Sequence, residues 1–488
     1  MPQRVLVTGA TGYIGGRLVP ELLAAGHDVV CLARTPERLS EVPWADQVTI
    51  VQGDLADPSS LPDAFDGVDA AYYLVHSIGT GAGFDDRERE AAETFVSAAD
   101  EAGVSRIVYL GGLRPAIGEV ASPHLASRAE VGRVFLDGPV PSVVLQAGVV
   151  IGSGSASFEM LRYLTERLPV MVTPRWVSSR VQPIAVRDVL RYLVGVLDLD
   201  PATNRTFDVG GPDIVTYEEM MQRYAAVAGL RRRLIVPVPV LSPRLSSHWI
   251  NIVTPIPKAL AAPLIESLRN SVVMAERDIE TLLPGPVLGF DEAVRQALQR
   301  TVEGEVPTRW ADASWPGAPS DPLPSDPDWA GGDVEVDERS REVDAPPGVL
   351  WEVVEGIGGE RGWYSFPLAW AVRGLLDRLV GGVGLRRGRR HPDRLTLGEP
   401  LDFWRVEALD RPRLLRLRAE MRLPGHAWLE FRVEATGGGG AVLHQRAVFR
   451  PRGMAGRVYW WTVWPFHGIV FEGMLRNMSR AAERAVDA

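Results

Sequence analysis

The apolar positions along the chain change rhythm twice. Up to about residue 147 they come in short β-branched runs, at residues 4–8, 28–33, 48–52, 70–75, 106–110 and 142–146, separated by helical patterns at 15–25 and about 85–101. The runs are apolar on both faces, as strands covered by helices on two sides are. Strands alternating with helices predict parallel pairing through crossover helices, a doubly wound parallel α/β sheet of the Rossmann type. From about 148 to 306 the pattern is less regular and is where substrate-facing elements are expected. Residues 187–197 and 217–228 read as helices and 206–210 as a strand. The proline-interrupted apolar stretch 237–263 reads either as a lid or as a flap on the following domain.

Residues 307–332 break every regular pattern. Pro307, Pro316, Pro319, Pro322, Pro324 and Pro327 fall there among Gly, Ser and Asp, which marks a linker, with Trp310, Trp315 and Trp329 available to pack on a surface. From 333 to 488 the period becomes two. Strands are expected at 401–406, 414–419, 427–433 and 441–449, after a helix near 348–355 and before a last helix at roughly 464–485. Such alternation predicts an antiparallel sheet with one wet face, an α+β domain. The chain thus divides into domains at 1–306 and 333–488.

Composition narrows the classes. The 488 residues hold 52 Lys and Arg against 62 Asp and Glu, a formal charge of −10, which excludes the basic footprint of a nucleic-acid partner. The single cysteine, Cys31, lies in an apolar run; it fits a reducing, cytoplasmic setting and reads as a small core residue. The 8 histidines show no spacing that seats a metal. Met1 leads directly into a strand, without the pattern of a signal peptide. The stretch nearest to a membrane span, 458–475, contains Pro465, His467 and Glu472, so a soluble or membrane-peripheral protein is expected.

Thr8-Gly9-Ala10-Thr11-Gly12-Tyr13-Ile14-Gly15 follows the first strand and opens the first helix. Glycines at this spacing permit a tight turn, close approach of a pyrophosphate and close helix–strand packing, while N–H groups at the helix start face the phosphates. Gly9, Thr11, Gly12, Tyr13, Ile14 and Gly15 are therefore candidate cofactor contacts. The second strand ends in Arg34, where an NAD enzyme carries an acid. A guanidinium there suits the 2′-phosphate of NADP, with Arg38 in support, although a plain surface arginine reads the same way. NADP is favoured, with NAD as the other cofactor. Asp54 and Leu55 either reach the adenine edge or belong to a capped loop.

The turn, together with Gly53-Asp54-Leu55, Val181-Gln-Pro-Ile-Ala-Val-Arg-Asp-Val189 and Phe207-Asp-Val-Gly-Gly-Pro212, resembles the atypical, extended short-chain dehydrogenase/reductase superfamily over about residues 1–300. The resemblance implies that the loop Leu74-Val75-His76-Ser77 lines the cofactor, with Leu74 and His76 as contacts. It also implies a Tyr and a Lys four residues apart on a helix, and a Ser ending the fifth strand. Here that strand ends Tyr109-Leu110-Gly111-Gly112, His124 stands at the Tyr position and Arg128 at the Lys position. His124 can relay a proton and Arg128 can bind ribose or phosphate, but a guanidinium does not replace the lysine ammonium. His124 is equally a cofactor contact without turnover, or a first-turn surface residue.

Glu338-Arg-Ser-Arg-Glu-Val-Asp-Ala-Pro-Pro-Gly-Val-Leu-Trp351, with the strands and last helix that follow, is similar to the helix-grip fold of START-like and polyketide-cyclase-like proteins, which implies an apolar cavity. Trp404-Arg-Val-Glu407 and Leu423-Pro-Gly-His-Ala-Trp-Leu-Glu430 resemble a bacterial family of NAD(P)-binding oxidoreductases with such a C-terminal domain. Arg386-Arg387-Gly-Arg389-Arg390 either touches anionic headgroups or is a solvated loop. Three functions stay open in this order: an NADP-dependent oxidoreductase of a hydrophobic small molecule, an NADP-binding sensor or assembly factor without turnover, and a membrane-peripheral carrier of an apolar ligand. Oligomeric state has no signature in the sequence.

Overall fold

The computed structural model describes residues 2–40, 42–75, 84–116, 118–238, 254, 256, 264–304, 333–365, 391, 394–421 and 423–486. The chain divides into two compact units, Met1–Gly332 and Asp333–Ala488. The proposed linker, the basic stretch 386–390 and most of 237–263 lie outside the described residues.

In the first unit the strands β1 (Arg4–Thr8), β2 (Asp28–Ala33), β3 (Thr49–Gln52), β4 (Ala70–Tyr73), β5 (Arg106–Gly112), β6 (Ser142–Ala147) and β7 (Arg205–Val209) form one sheet. Its order is β7-β6-β5-β4-β1-β2-β3 and every pair is parallel. The helices of this unit that matter below are α1 (Tyr13–Ala24), α2 (Phe84–Glu101), α3 (Pro123–Asp137), α4 (Ala156–Arg167), α5 (Val186–Gly195), α6 (Tyr217–Val227) and α7 (Phe290–Gly304). Successive side chains of β1 enter different cores. Val5 and Val7 pack with Val19 and Leu22 of α1, whereas Leu6 packs with Phe95 and Phe135 of α2 and α3. That is why the strand has no polar face. On the second side Tyr73, Phe95, Tyr109 and Phe135 meet mainly edge to face, with the Tyr73 and Phe135 centroids 5.0 Å apart.

The strand expected at 206–210 in the irregular region is β7, the seventh strand of the main sheet beside β6. Arg106 at the start of β5 donates to the carbonyls of Val196 (2.6 Å) and Leu199 (3.1 Å), capping the end of α5 from within the fold.

The second unit runs β8 (Glu335–Val343), α8 (Pro347–Glu355), β9 (Pro400–Leu401), β10 (Trp404–Asp410), β11 (Leu414–Ala419), β12 (Gly425–Ala435), β13 (Ala441–Pro451) and α9 (Gly453–Val486). All its pairs are antiparallel, in the order β8-β13-β12-β11-β10-β9. Leu415, Leu417, Leu429, Phe431 and Leu443 from one sheet face pack with Leu350, Trp351 and Val354 of α8 and Met474, Leu475 and Met478 of α9.

Two sequence expectations change here. The strand 401–406 is divided at Asp402, which has φ +55° and whose Oδ2 accepts from Trp363 Nε1 at 2.8 Å and the Gly359 N–H at 3.2 Å. Those bonds hold the left-handed turn that an aspartate tolerates. The last helix begins at Gly453, not near Trp464, and runs through Pro465. The carbonyl that Pro465 leaves without its helical donor belongs to Trp461, and both residues lie on the exposed face, where a proline costs the helix least.

Candidate functional site

The glycine turn sits where the strand order reverses, between β1 and β4, the place where open parallel sheets hold ligands. Thr8 Oγ1 donates to the Tyr72 carbonyl (3.0 Å) and accepts from the Leu74 N–H (3.2 Å), tying the two strand ends together. Gly9 has φ +74°, and a Cβ there would stand 2.7 Å from the Leu74 carbonyl oxygen. A Cβ on Gly15 would stand 2.2 Å from the Gly9 carbonyl oxygen. Gly12 is the N-cap of α1 and brings no side chain to it. The first turn of α1 therefore presents backbone N–H groups and the positive helix end without a side-chain cap, a cradle matched to a pyrophosphate.

The remaining candidate cofactor residues fall into two groups. Thr11 and Leu74 are half-buried at the turn, and Arg34 and Arg38 are exposed beyond the end of β2. Among the described residues Arg34 makes no ion pair, and its carbonyl accepts from Gln52 Nε2 at 3.4 Å. Asp54 caps its own loop: Oδ1 accepts from the Ala56 N–H at 3.0 Å, and its own N–H donates to Ser60 Oγ at 2.9 Å. The Leu55 side chain lies in the core beside Phe65. His76 lies outside the described residues.

Tyr13 and Ile14 face a second compartment. The Tyr13 ring lies under the Arg17 guanidinium, 4.2 Å away, and against the backbone of Gly152, where a Cβ would stand 2.3 Å from Tyr13 Oη. Beyond it opens a cavity of about 290 Å³, at the small end of the roughly 300–1,000 Å³ usual for small-molecule sites. Its walls are Met160, Leu161 and Leu164 of α4, Met220 and Met221 of α6, and Leu264 and Leu268; His124, Arg128, Ser155 and Ser267 supply the polar edge.

Helix α3 brings His124 and Arg128 to that edge. Ser122 caps it by accepting from the Leu125 N–H at 3.3 Å, and Pro123 follows in its first turn. Four residues apart, His124 and Arg128 share one face. Arg128 Nη2 donates to the Leu110 carbonyl at 2.6 Å, fastening α3 to the end of β5. The Tyr109 hydroxyl donates to the Arg128 carbonyl at 3.4 Å. Burial raises the Tyr109 pKa, and the Arg128 charge partly opposes that. One turn inward, Ser127 Oγ donates to Glu88 of α2 at 2.6 Å, both side chains being buried. A Cβ on Gly112 would stand 3.2 Å from Leu125 Cδ2, so the strand end without a serine lies directly against α3.

The apolar wall was not singled out in the sequence, although Met160, Leu161 and Leu164, and Tyr217, Met220, Met221 and Tyr224, carry helical spacing. Cys31 is buried in the sheet core, and burial pushes its thiol up to about 12, which keeps it inert. Among the described residues there is no cluster able to hold a metal, and no helix is long and apolar enough to cross a membrane.

Comparisons with known proteins match one stretch in each unit. Residues 9–133 match a family described as NAD(P)H-binding, and residues 329–474 match a protein family of unknown function, DUF2867. A 3β-hydroxysteroid dehydrogenase/Δ5→4-isomerase of Mycobacterium tuberculosis is 33% identical over 139 residues, 25% of this chain and 36% of that enzyme. The chain thus spans about a third of the first curated relative it matches. A (4-alkanoyl-5-oxo-2,5-dihydrofuran-3-yl)methyl phosphate reductase of Streptomyces griseus is 30% identical over 233 residues, 46% of this chain and 74% of that reductase. Among solved structures, the triphenylmethane reductase of Citrobacter sp. superposes with a TM-score of 0.50 at 23% identity, covering 61% of this chain and 99% of that one. This last likeness is one of fold.

Proposed function

Through its first unit the chain belongs to the NAD(P)H-binding, short-chain-dehydrogenase-like reductases, and on that premise we propose that it uses NADPH to reduce an apolar carbonyl compound or quinone held beside His124. The observation that carries the reading is the cavity, which puts Tyr13 and Ile14 of the nucleotide turn, His124 and Arg128 of α3, and the apolar wall around one space. NADPH, held by the glycine turn, would supply the hydride for that reduction.

The protein's own part is threefold. The methionine and leucine side chains of α4 and α6 take up the apolar body of the substrate and exclude water from it. His124 delivers the proton that the reduced oxygen requires, a transfer that imidazole performs near neutral pH. Arg128 keeps a fixed positive charge at that edge and holds α3 against β5. Arg34 supports the choice of NADPH over NADH as the guanidinium at the end of β2.

The test follows NADPH absorbance against a panel of apolar carbonyls and quinones. Oxidation by at least one acceptor, lost in His124→Ala, is the expected result. Tight NADPH binding with no acceptor consuming it would replace the reductase with a nucleotide sensor.

For the second unit we propose a START-like, helix-grip ligand-binding role. The order strand, helix, five strands and long helix supports it, as does the aromatic group of Trp363, Phe403 and Trp404. Binding of an apolar fluorescent probe that survives blockage of the first cavity by Gly112→Leu is the expected result.

A further inference from the structure

Helix α9 has two unlike halves. From Gly473 on, its exposed positions include Arg476, Arg480 and Arg484, the usual charged face of a surface helix. Before that, apart from Thr462 and Glu472, the large exposed side chains of the helix are apolar. Met454, Val458, Trp461, Trp464, Phe466 and Ile469 are 38–64% exposed. At about 100° per residue these positions spread over roughly 200° of the helix circumference, a convex ridge and not a groove. The opposite face is occupied by the fold itself: Trp460 stacks on Phe449 with centroids 5.7 Å apart, and Phe471 and Met474 are buried.

Along the ridge the sequence itself is basic, while the carboxylates of Asp333, Asp337 and Glu472 lie beside it. From Arg450 to Phe471 the sequence holds three arginines and no carboxylate, within a chain of net charge −10. Arg457 is paired with Asp333 at 2.5 Å. Arg450 and Arg452 immediately precede the helix, and with Arg418 they oppose protonation of His426, whose pKa burial lowers first. Two cationic side chains thus stand at the leading end of the ridge.

We propose that the first half of α9 is a membrane-surface anchor that lays its aromatic ridge into the headgroup boundary of an anionic bilayer, with Arg450 and Arg452 on the phosphates. A convex ridge of Trp and Phe with cations at one end matches an interfacial helix, which lies on a bilayer and does not cross it. Tryptophan suits that depth because its ring is apolar and its N–H finds a wet partner. A second copy of the chain would have to offer an apolar surface shaped to a convex ridge.

The experiment is flotation of the full chain with vesicles of phosphatidylcholine alone and of phosphatidylcholine with phosphatidylglycerol. Binding to the anionic vesicles, weakened by salt, is expected. Trp461→Ser with Phe466→Ser should lower the partition coefficient about tenfold or more while NADPH binding, read on the first unit, is retained. Arg452→Glu should lower it on anionic vesicles only. If the serine variant does not fold, brominated lipid offers a second readout: quenching of tryptophan emission should fall in Trp461→Phe with Trp464→Phe, which keep the ring bulk. No flotation, or flotation indifferent to both sets of substitutions, overturns the anchor. So does a dimer in solution that the serine variant dissolves, which would assign the ridge to a second copy.

Discussion

The glycine turn and the face of α3 border one cavity, yet they are built on opposite principles. At the turn the backbone works and side chains are kept out: at Gly9 and Gly15 a single Cβ would meet a carbonyl oxygen at 2.7 Å and 2.2 Å. On α3 the side chains do the work, and their identities differ from the pattern the fold resembles, with His124 and Arg128 in place of Tyr and Lys. Space excludes every residue but glycine at the first site. At the second the geometry tolerates exchange, because any long side chain four residues from another can reach the same edge. The nucleotide turn is therefore the sterically constrained part of this scaffold, and the face of α3 the part that admits exchange.

Substitutions can break or sharpen that contrast. The largest effect is expected from His124→Ala, which should lower kcat on any accepted substrate by about 10²–10⁴-fold with NADPH affinity unchanged; equal loss of affinity would move His124 into the cofactor site. Gly15→Val should do the reverse, abolishing NADPH binding in titration calorimetry and costing about 3 kcal/mol of stability by overpacking. Arg34→Ala should weaken NADPH about tenfold and leave NADH untouched, measured by fluorescence titration. An equal loss for both nucleotides would remove the arginine from the 2′-phosphate. Smallest is Ser127→Ala, which leaves Glu88 with one bond fewer in a buried setting and should cost about 1 kcal/mol in denaturant unfolding.

What could be read from the sequence follows the range over which each feature is determined. Strands β1 to β6 announce themselves because each is an apolar run bounded by turn residues. The glycine turn is likewise local. The sheet to which Thr206-Phe-Asp-Val209 belongs is not, since five residues carry no record of their neighbour β6. The break at Asp402 depends on Trp363, 39 positions away. The true start of α9 was hidden by Pro465, a breaker that becomes harmless only once its face is known to be exposed. Asp54 admits two readings in the sequence, and the structure adds the loop bond from the Ala56 N–H to Oδ1 without deciding the adenine contact. The cavity is the least local of all, for its wall gathers residues from Tyr13 to Val272.

Tyr13 belongs to the nucleotide helix by sequence and to the cavity wall by position, and its hydroxyl rests where Gly152 has no side chain. Residues 13 and 152 therefore divide one volume: a larger residue at 152 requires a smaller one at 13, and either change reshapes the wall that the nucleotide turn lends to the cavity. Residue 152 thus sets the shape of the cavity through Tyr13, without lining the cavity itself.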